Sequence, residues 1–597
     1  MEATSITATG AGTITGQASL INNASADTTG GATAAASSAT SSAATLLGAD
    51  IDTTTIGGAG SLLGQVGFTS TATADNVSGA ATATAGVDLS RGLFSEKLST
   101  ANPPVDTGLI DINGDATIKG LDVGTTTATA TSVGGAATAN AGDGDLATAI
   151  DINKLDVDAS LSLIAGVQTD TAAIASSVEG NSTANAGLSQ VLKGLVAADI
   201  DVDAAGTLSA QAFLNLDATA SSTNGFAAAT AGNTTTKLTG IASGLDLDIL
   251  GAGSVTALAQ GTADAIASTV GNGGSDLATA TTDLVAMGID SLLFDTGAEA
   301  LLSATAKLVG SADASSVGVG TALADLTFNA TGLYRTAVDS EADGTISALG
   351  SAIGTLNAEG VGGAATAQGD FTSLGISNLV GNTFVIDADA SITGLGVVNG
   401  SLDAATTVGI ATALGDFDAT GAAFGWTSGG AITTDIGGLA TLKGQAQATG
   451  TVEASSVNAA AIATTGSLLA TPGAGDQATL VGLSGLYLDG DAAGSILGTA
   501  TGAFNTSADS VGGNATAWAA ESLTGINAFR ISLDGAGTIN AIVSDTSFVD
   551  AHSVGGTATA TSSINAIALN VAQINVGADL TLIGTSSAIS QTMAAAV

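Results

Sequence analysis

The chain has 597 residues, 53 Asp and Glu against 10 Lys and Arg, a formal net charge of −43, 83 Gly, 3 Pro and no Cys. Only 11% of residues are charged and 3% aromatic, where ordinary globular domains carry roughly 25% charged residues, so no segment has the large apolar side chains of a conventional core. Ten scattered cations cannot neutralise a nucleic-acid backbone, the lack of Cys excludes a disulfide framework, a thiolate zinc site and a Cys nucleophile, and no run of about 18 apolar residues is present to cross a bilayer as a helix.

The chain opens Met1-Glu2-Ala3-Thr4, without the basic and apolar regions of a conventional signal peptide. A first strand block, ITATGAGTITGQA, begins at Ile6. From there one anchor recurs, a Val or Thr followed by a Gly-containing step and alternating small residues. It reads VGGAATANAG from Val133, VEGNSTANAG from Val178, VGGAATAQGD from Val361, VGGNATAWAA from Val511 and VGGTATATSS from Val554. Weaker copies start at Thr29, Val77, Thr223, Val270, Val317, Val408 and Val457. After a partial first repeat over 1–28, the whole of 1–597 therefore reads as a single domain of about twelve repeats with a mean period of about 48 residues, in the range of solenoids and arrays. A segment at 87–107, with Arg91, Lys97, Pro103 and Pro104, breaks the pattern and is expected to be a protruding loop. Leu188 to Asp199 could form a short helical turn. Between anchors lies a second block, a hydrophobic-Asp step and then an alternating strand, as in VDASLSLIAG from Val157; its last copy, INVGADLTLIGTS, begins at Ile574.

High net charge with few aromatics commonly signals disorder. Here Pro and Lys are scarce and the periodicity is two: in AATATAG from Ala80, Ala81, Ala83 and Ala85 share one face and Thr82 and Thr84 the other. Leu161 and Leu163 likewise share a face, and Gly pairs such as Gly134-Gly135 are expected to make positive-φ corners. The expected fold is all-β, an elongated β-solenoid with a thin interior of small side chains. One coil per repeat predicts a stack of roughly 60 Å and two coils roughly 120 Å.

Among candidate sites the Asp residues at i, i+2 come first: Asp50/Asp52, Asp156/Asp158, Asp199/Asp201/Asp203, Asp246/Asp248, Asp387/Asp389 and Asp489/Asp491. Stacked repeats would align them into a ladder, and Ca2+, a hard cation taking oxygen ligands, would relieve their repulsion. The alternative is an outer face that is simply solvated. Thr pairs such as Thr82/Thr84, Thr125/Thr127/Thr129 and Thr557/Thr559 allow an ice-binding reading, weakened by Asn140, Asn185 and Gln368 where Thr would be expected. Catalysis has little support: His552 is the only histidine, Arg91, Arg335 and Arg530 are scattered, and no carboxylate pair is singled out. The expectation is a protein that is not an enzyme and has no firm cofactor.

The first and last blocks have matching patterns and no polar cap, which invites head-to-tail stacking through Ile6, Ile14, Ile574, Val576, Leu580 and Leu582. The alternative is an atypical cap within Thr585 to Val597. With its recurring anchor, best seen in VGGAATANAG from Val133, the chain resembles the repetitive, acidic, Ala/Thr/Gly-rich β-solenoid surface and matrix proteins secreted by bacteria, cyanobacteria among them. The resemblance implies an extracellular or cell-surface location, a structural role in a filament, sheath or biofilm matrix, cell-surface polysaccharide as a partner beside the chain itself, and a secretion signal near Ser587 to Val597. A monomeric binding rod (adhesin or ice binder) and a phage or virion fibre are the alternatives.

Overall fold

The structure, a computed structural model, describes residues 2–3, 5–38, 45–95, 109–242, 244–271, 276–378, 383–424, 426–427, 430–431, 434–466 and 477–597. Every regular element among them is a β-strand, and the chain is an all-β, elongated β-solenoid. Thirteen strands of 17 or 18 residues, from Gly12–Thr28 to Leu580–Ala596, stack in parallel and in sequence order as one sheet. The segments between them, such as Ala137–Ala141 and Leu146–Val157, return through a second parallel sheet. Each passage through both sheets is one coil: Gly12 pairs with Gly60, and Leu161 with Gly206. A coil is long and thin. A strand of 17 residues spans about 56 Å, and thirteen rungs stack to about 58 Å.

The alternation in the sequence becomes columns along the stack. Ala81–Ala85 buries its alanines and turns its threonines outward. In the long-strand sheet one inward column runs Ile14, Leu62, Ile118, Leu163, Leu208, Val255 and onward, one aliphatic residue per coil, to Ile539 and Leu582. Near the far end of the same strands, the column from Ala26 and Ala74 to Ala551 and Ala594 is alanine at each step. Between the ends, phenylalanines meet glycines. Phe328, Phe371 and Phe417 form a buried stack, and a Cβ on Gly310, Gly354, Gly400 or Gly450 would run into these rings. The Phe371 and Phe417 rings are 5.5 Å apart and 2° from parallel.

Two devices lock coil to coil beyond the backbone ladder. The second sheet bends at a glycine column, Gly194, Gly240, Gly288, Gly332, Gly375, Gly421, Gly482 and Gly525, where a Cβ would strike backbone of the facing sheet. At several anchor corners, a Ser just before the anchor residue reaches the coil before it. Ser132 Oγ donates to the Gly79 carbonyl (2.7 Å), Ser177 to Gly135 (2.7 Å), Ser222 to Gly180 (2.6 Å), Ser510 to Ala459 (2.6 Å) and Ser553 to Gly513 (2.6 Å).

Three expectations are corrected. The first part of the supposed loop at 87–107 is a strand, Leu89–Phe94, paired on both sides, because Ser90 and Leu93 point inward as core residues do; Lys97, Pro103 and Pro104 lie outside the described residues. The stretch considered for a helical turn contains the strand Val191–Val202, held by ladders to both neighbouring coils. Positive φ at the anchor corner occurs at Gly318, Gly362, Gly409, Gly512 and Gly555, and Gly134-Gly135 is not among these.

Candidate functional site

The end rungs are the least satisfied part of the fold. In the interior, inward residues such as Leu62 and Ile118 are fully buried. In the last rung Leu580 and Leu582 are 45% and 47% exposed, and along Leu580–Ala596 each residue is exposed. No cap lies within Thr585 to Ala596, which is part of this strand. The first long strand is similarly open beyond Gly16, although Ile14 is buried. The six residues singled out for assembly fall on shared columns. Ile6 begins and Ile574 ends one inward column. Ile14 and Leu582 terminate another. Val576 ends the column that starts at Ala8, and Leu580 the one that starts at Gly12.

The carboxylate ladder exists, but along the stack rather than within each strand. One outward column reads Asp111, Asp156, Asp201, Asp248, Asp295 and Asp339, then Val385, then Asp435 and Asp489. Asp111, Asp295, Asp339 and Asp435 were invisible to an i, i+2 pattern; register alone reveals them. Asp199 and Asp246 form a short second column beside it, and Lys154 bridges the two, 3.0 Å from Asp199 and 3.8 Å from Asp201. Asp50 pairs with Glu2 and Phe94 on another column. Asp158, Asp203, Asp387, Asp389 and Asp491 sit at or beside the turn that follows, and Asp52 follows the strand bearing Asp50. Partial burial raises the Asp156, Asp201, Asp295 and Asp435 carboxyls above their ordinary range, and neighbouring ladder carboxylates raise them further. Among the described residues no three His, Cys, Asp or Glu converge as a metal cage does. A cation between rungs would need water for most of the six to eight oxygens that Ca2+ takes.

Sequence reasoning missed the acids inside the solenoid. Asp122 is fully buried on the long-strand sheet, and burial pushes its carboxyl up to about 7. Glu521 and Asp545 face the interior from opposite sheets near the C-terminal end. Burial, then the Asp545 charge, pushes Glu521 up to about 8, while Ser547 Oγ donates to it at 2.9 Å; burial pushes Asp545 up to about 6. Their only sequence signal is an acid at a position whose column is mostly apolar, which needs the register to see.

The outward threonines do not make a continuous array. Thr82, Thr138 and Thr183 give way to Ala228, Thr279 and Leu323 in one column, and Thr84 to Asn140 and Asn185 in the next. His552 lies 3.8 Å from Asp509 on an exposed face. The three arginines, far apart in sequence, each lie over an aromatic ring: Arg91 over Phe94, Arg335 over Tyr334 and Arg530 over Tyr487. All sit at the bend around Leu93, Leu333 and Ile526, which share one inward column. No protein-family model, curated protein or solved structure matches this chain.

Proposed function

We propose that the protein is a non-enzymatic structural subunit that polymerises head to tail into an extracellular filament, sheath or matrix fibre, each copy stacking its first rung on the last rung of the next. The observation that carries this reading is the continuity of the inward columns from the first long strand to the last, so that the two end rungs have matching faces. Placing Gly12–Thr28 of one copy over Leu580–Ala596 of another sets Ile14 on Leu582, Gly16 on Gly584 and Ala26 on Ala594, the same contacts each interior rung makes. Leu582 is 47% exposed, so completing its burial would contribute about 1 kcal/mol, roughly half of what a fully exposed Leu gains. Glu2–Ala3 and Ile6–Ala8 would cover Asn570–Val576, leaving Ala558–Leu569 unpaired at the junction.

Electrostatics supports the same arrangement. The Asp column begins with Thr7 and Thr55 and ends with Ser532 and Asn575, so stacking brings no carboxylate of this column against another. A protein with net charge −43 is kept from lateral aggregation by its faces, while the last rung, Leu580–Ala596, has no charged residue and the first long strand, Gly12–Thr28, has Asp27 alone. Light scattering coupled to size exclusion tests the reading: the chain is expected as polymers and Leu582→Asp as a folded monomer of 56.2 kDa. A wild-type chain that runs as that monomer contradicts it.

A further inference from the structure

At the fifth long strand, Gly206–Thr223, the outer face of the solenoid carries an aromatic ring. In other long strands Phe68 and Phe504 point into the core, whereas Phe213 points outward between the buried Ala212 and Leu214 and is partly exposed. A single such ring is ordinary on a protein surface; its surroundings set this one apart. Gln168 precedes it in the same outward column and Gln260 follows it, one rung of about 4.8 Å away on either side. In the next column lie Asp170, Asn215 and Thr262, and in the one beyond it Ala172, Asp217 and Asp264. Phe213, its two Gln neighbours and the Asp170–Asn215–Thr262 column bound a cavity of about 240 Å3.

The middle amide of this cavity is already engaged. Thr262 Oγ1 donates to Asn215 Oδ1 at 2.5 Å, and Asn215 Nδ2 donates to Asp217 Oδ2 at 3.4 Å. The two Gln amides and Asp170 are left to meet a ligand. The local field favours a cation. Burial raises the Asp217 carboxyl above its ordinary range, and the Asp264 and Asp170 charges raise it further, against the Asn215 amide that lowers it. Three acids on successive rungs therefore repel one another at this face. Lys307, the cation of Phe213's own column, stands two rungs from the ring. An ammonium is drawn to an aromatic face by the ring's quadrupole and to a strongly acidic surface by its charge. An amide both donates and accepts, which suits hydroxyls. A sugar ring with an amino group offers a flat C–H face, hydroxyls and an ammonium together.

From this combination we infer that the Phe213 cavity is a binding subsite for a β-linked chain of protonated amino sugars, with one ring against Phe213, its hydroxyls bonded to Gln168 and Gln260 and its ammonium to Asp170. The site spans the fourth to sixth long strands, away from both end rungs, so it is independent of end-to-end stacking.

The test is isothermal titration of the full chain, at physiological ionic strength, with the β-1,4-linked trisaccharide of glucosamine and with its N-acetylated counterpart. Wild type, Phe213→Ala and Asp170→Asn are compared, with circular dichroism to show that each variant keeps its fold. The glucosamine trisaccharide is expected to bind saturably at a single site per chain, about ten-fold or more weakly in Phe213→Ala and several-fold more weakly in Asp170→Asn. The N-acetylated trisaccharide, which has no ammonium, should bind wild type several-fold less tightly and should not distinguish it from Asp170→Asn. Leu582→Asp should bind as wild type does, which separates this site from polymerisation. The inference is overturned by an absence of saturable binding, or by a Phe213→Ala or Asp170→Asn that binds the glucosamine trisaccharide as wild type does. Many equivalent sites per chain would mark condensation on the acidic surface at large and overturn it equally.

Discussion

Glu521 shows what a single residue costs inside a stack of small apolar side chains. A carboxylate there would have no water, so the proton stays on, and the group's ordinary value near 4.5 moves up to about 8. The sign follows. The folded chain holds a proton that the unfolded chain releases, so the stabilising balance is complete below the ordinary value and is lost as pH rises toward the folded one, at about 1.4 kcal/mol per pH unit for each such group. Asp122, Asp545 and Asp145, whose burial pushes it up to about 8, act in the same direction. The denaturation midpoint is therefore expected to be higher at pH 5 than at pH 8. Glu521→Gln, which keeps the shape and a partner for Ser547, should flatten part of that dependence and raise stability at pH 8. Equal midpoints at the two pH values would contradict the burial of these acids.

At the scale of the element, stability comes from repetition of two small devices. Gly421→Ala would drive a methyl into the Gln445 amide and the Gly482 carbonyl of the surrounding coils, and backbone cannot step aside as a flexible side chain does. A loss of about 1–3 kcal/mol is expected, read as a lower thermal midpoint. Ser510→Ala removes the hydroxyl that bonds the Ala459 carbonyl and should cost about 1–2 kcal/mol. An exposed Ser outside the ladder, such as Ser495, should tolerate Ala without a measurable shift. The strand content and facing of this chain were legible in its sequence because alternation survives in nearly each repeat: Ala81 in, Thr82 out. The glycine bend was not, because glycine is common throughout and only the position opposite the facing sheet distinguishes Gly421 from its neighbours. The corner ladder stood one residue before the recurring Val, outside the motif that drew the eye. The carboxylate ladder was half legible: Asp156, Asp201, Asp248 and Asp489 have an Asp two residues away, whereas Asp295 and Asp339 join the column only through pairing between coils.

On the scale of the whole molecule, a thin coil and end rungs with matching columns give the same answer. A strand of 17 residues makes a ribbon about 56 Å wide, and stacking copies lengthens the ribbon without changing its section. The arrangement is tested most directly by electron microscopy of the purified chain. The account predicts unbranched flat ribbons about 60 Å wide with a meridional spacing of about 4.8 Å along the fibre, and none in Leu582→Asp. Separate plates about 58 Å high, one solenoid each, would contradict it.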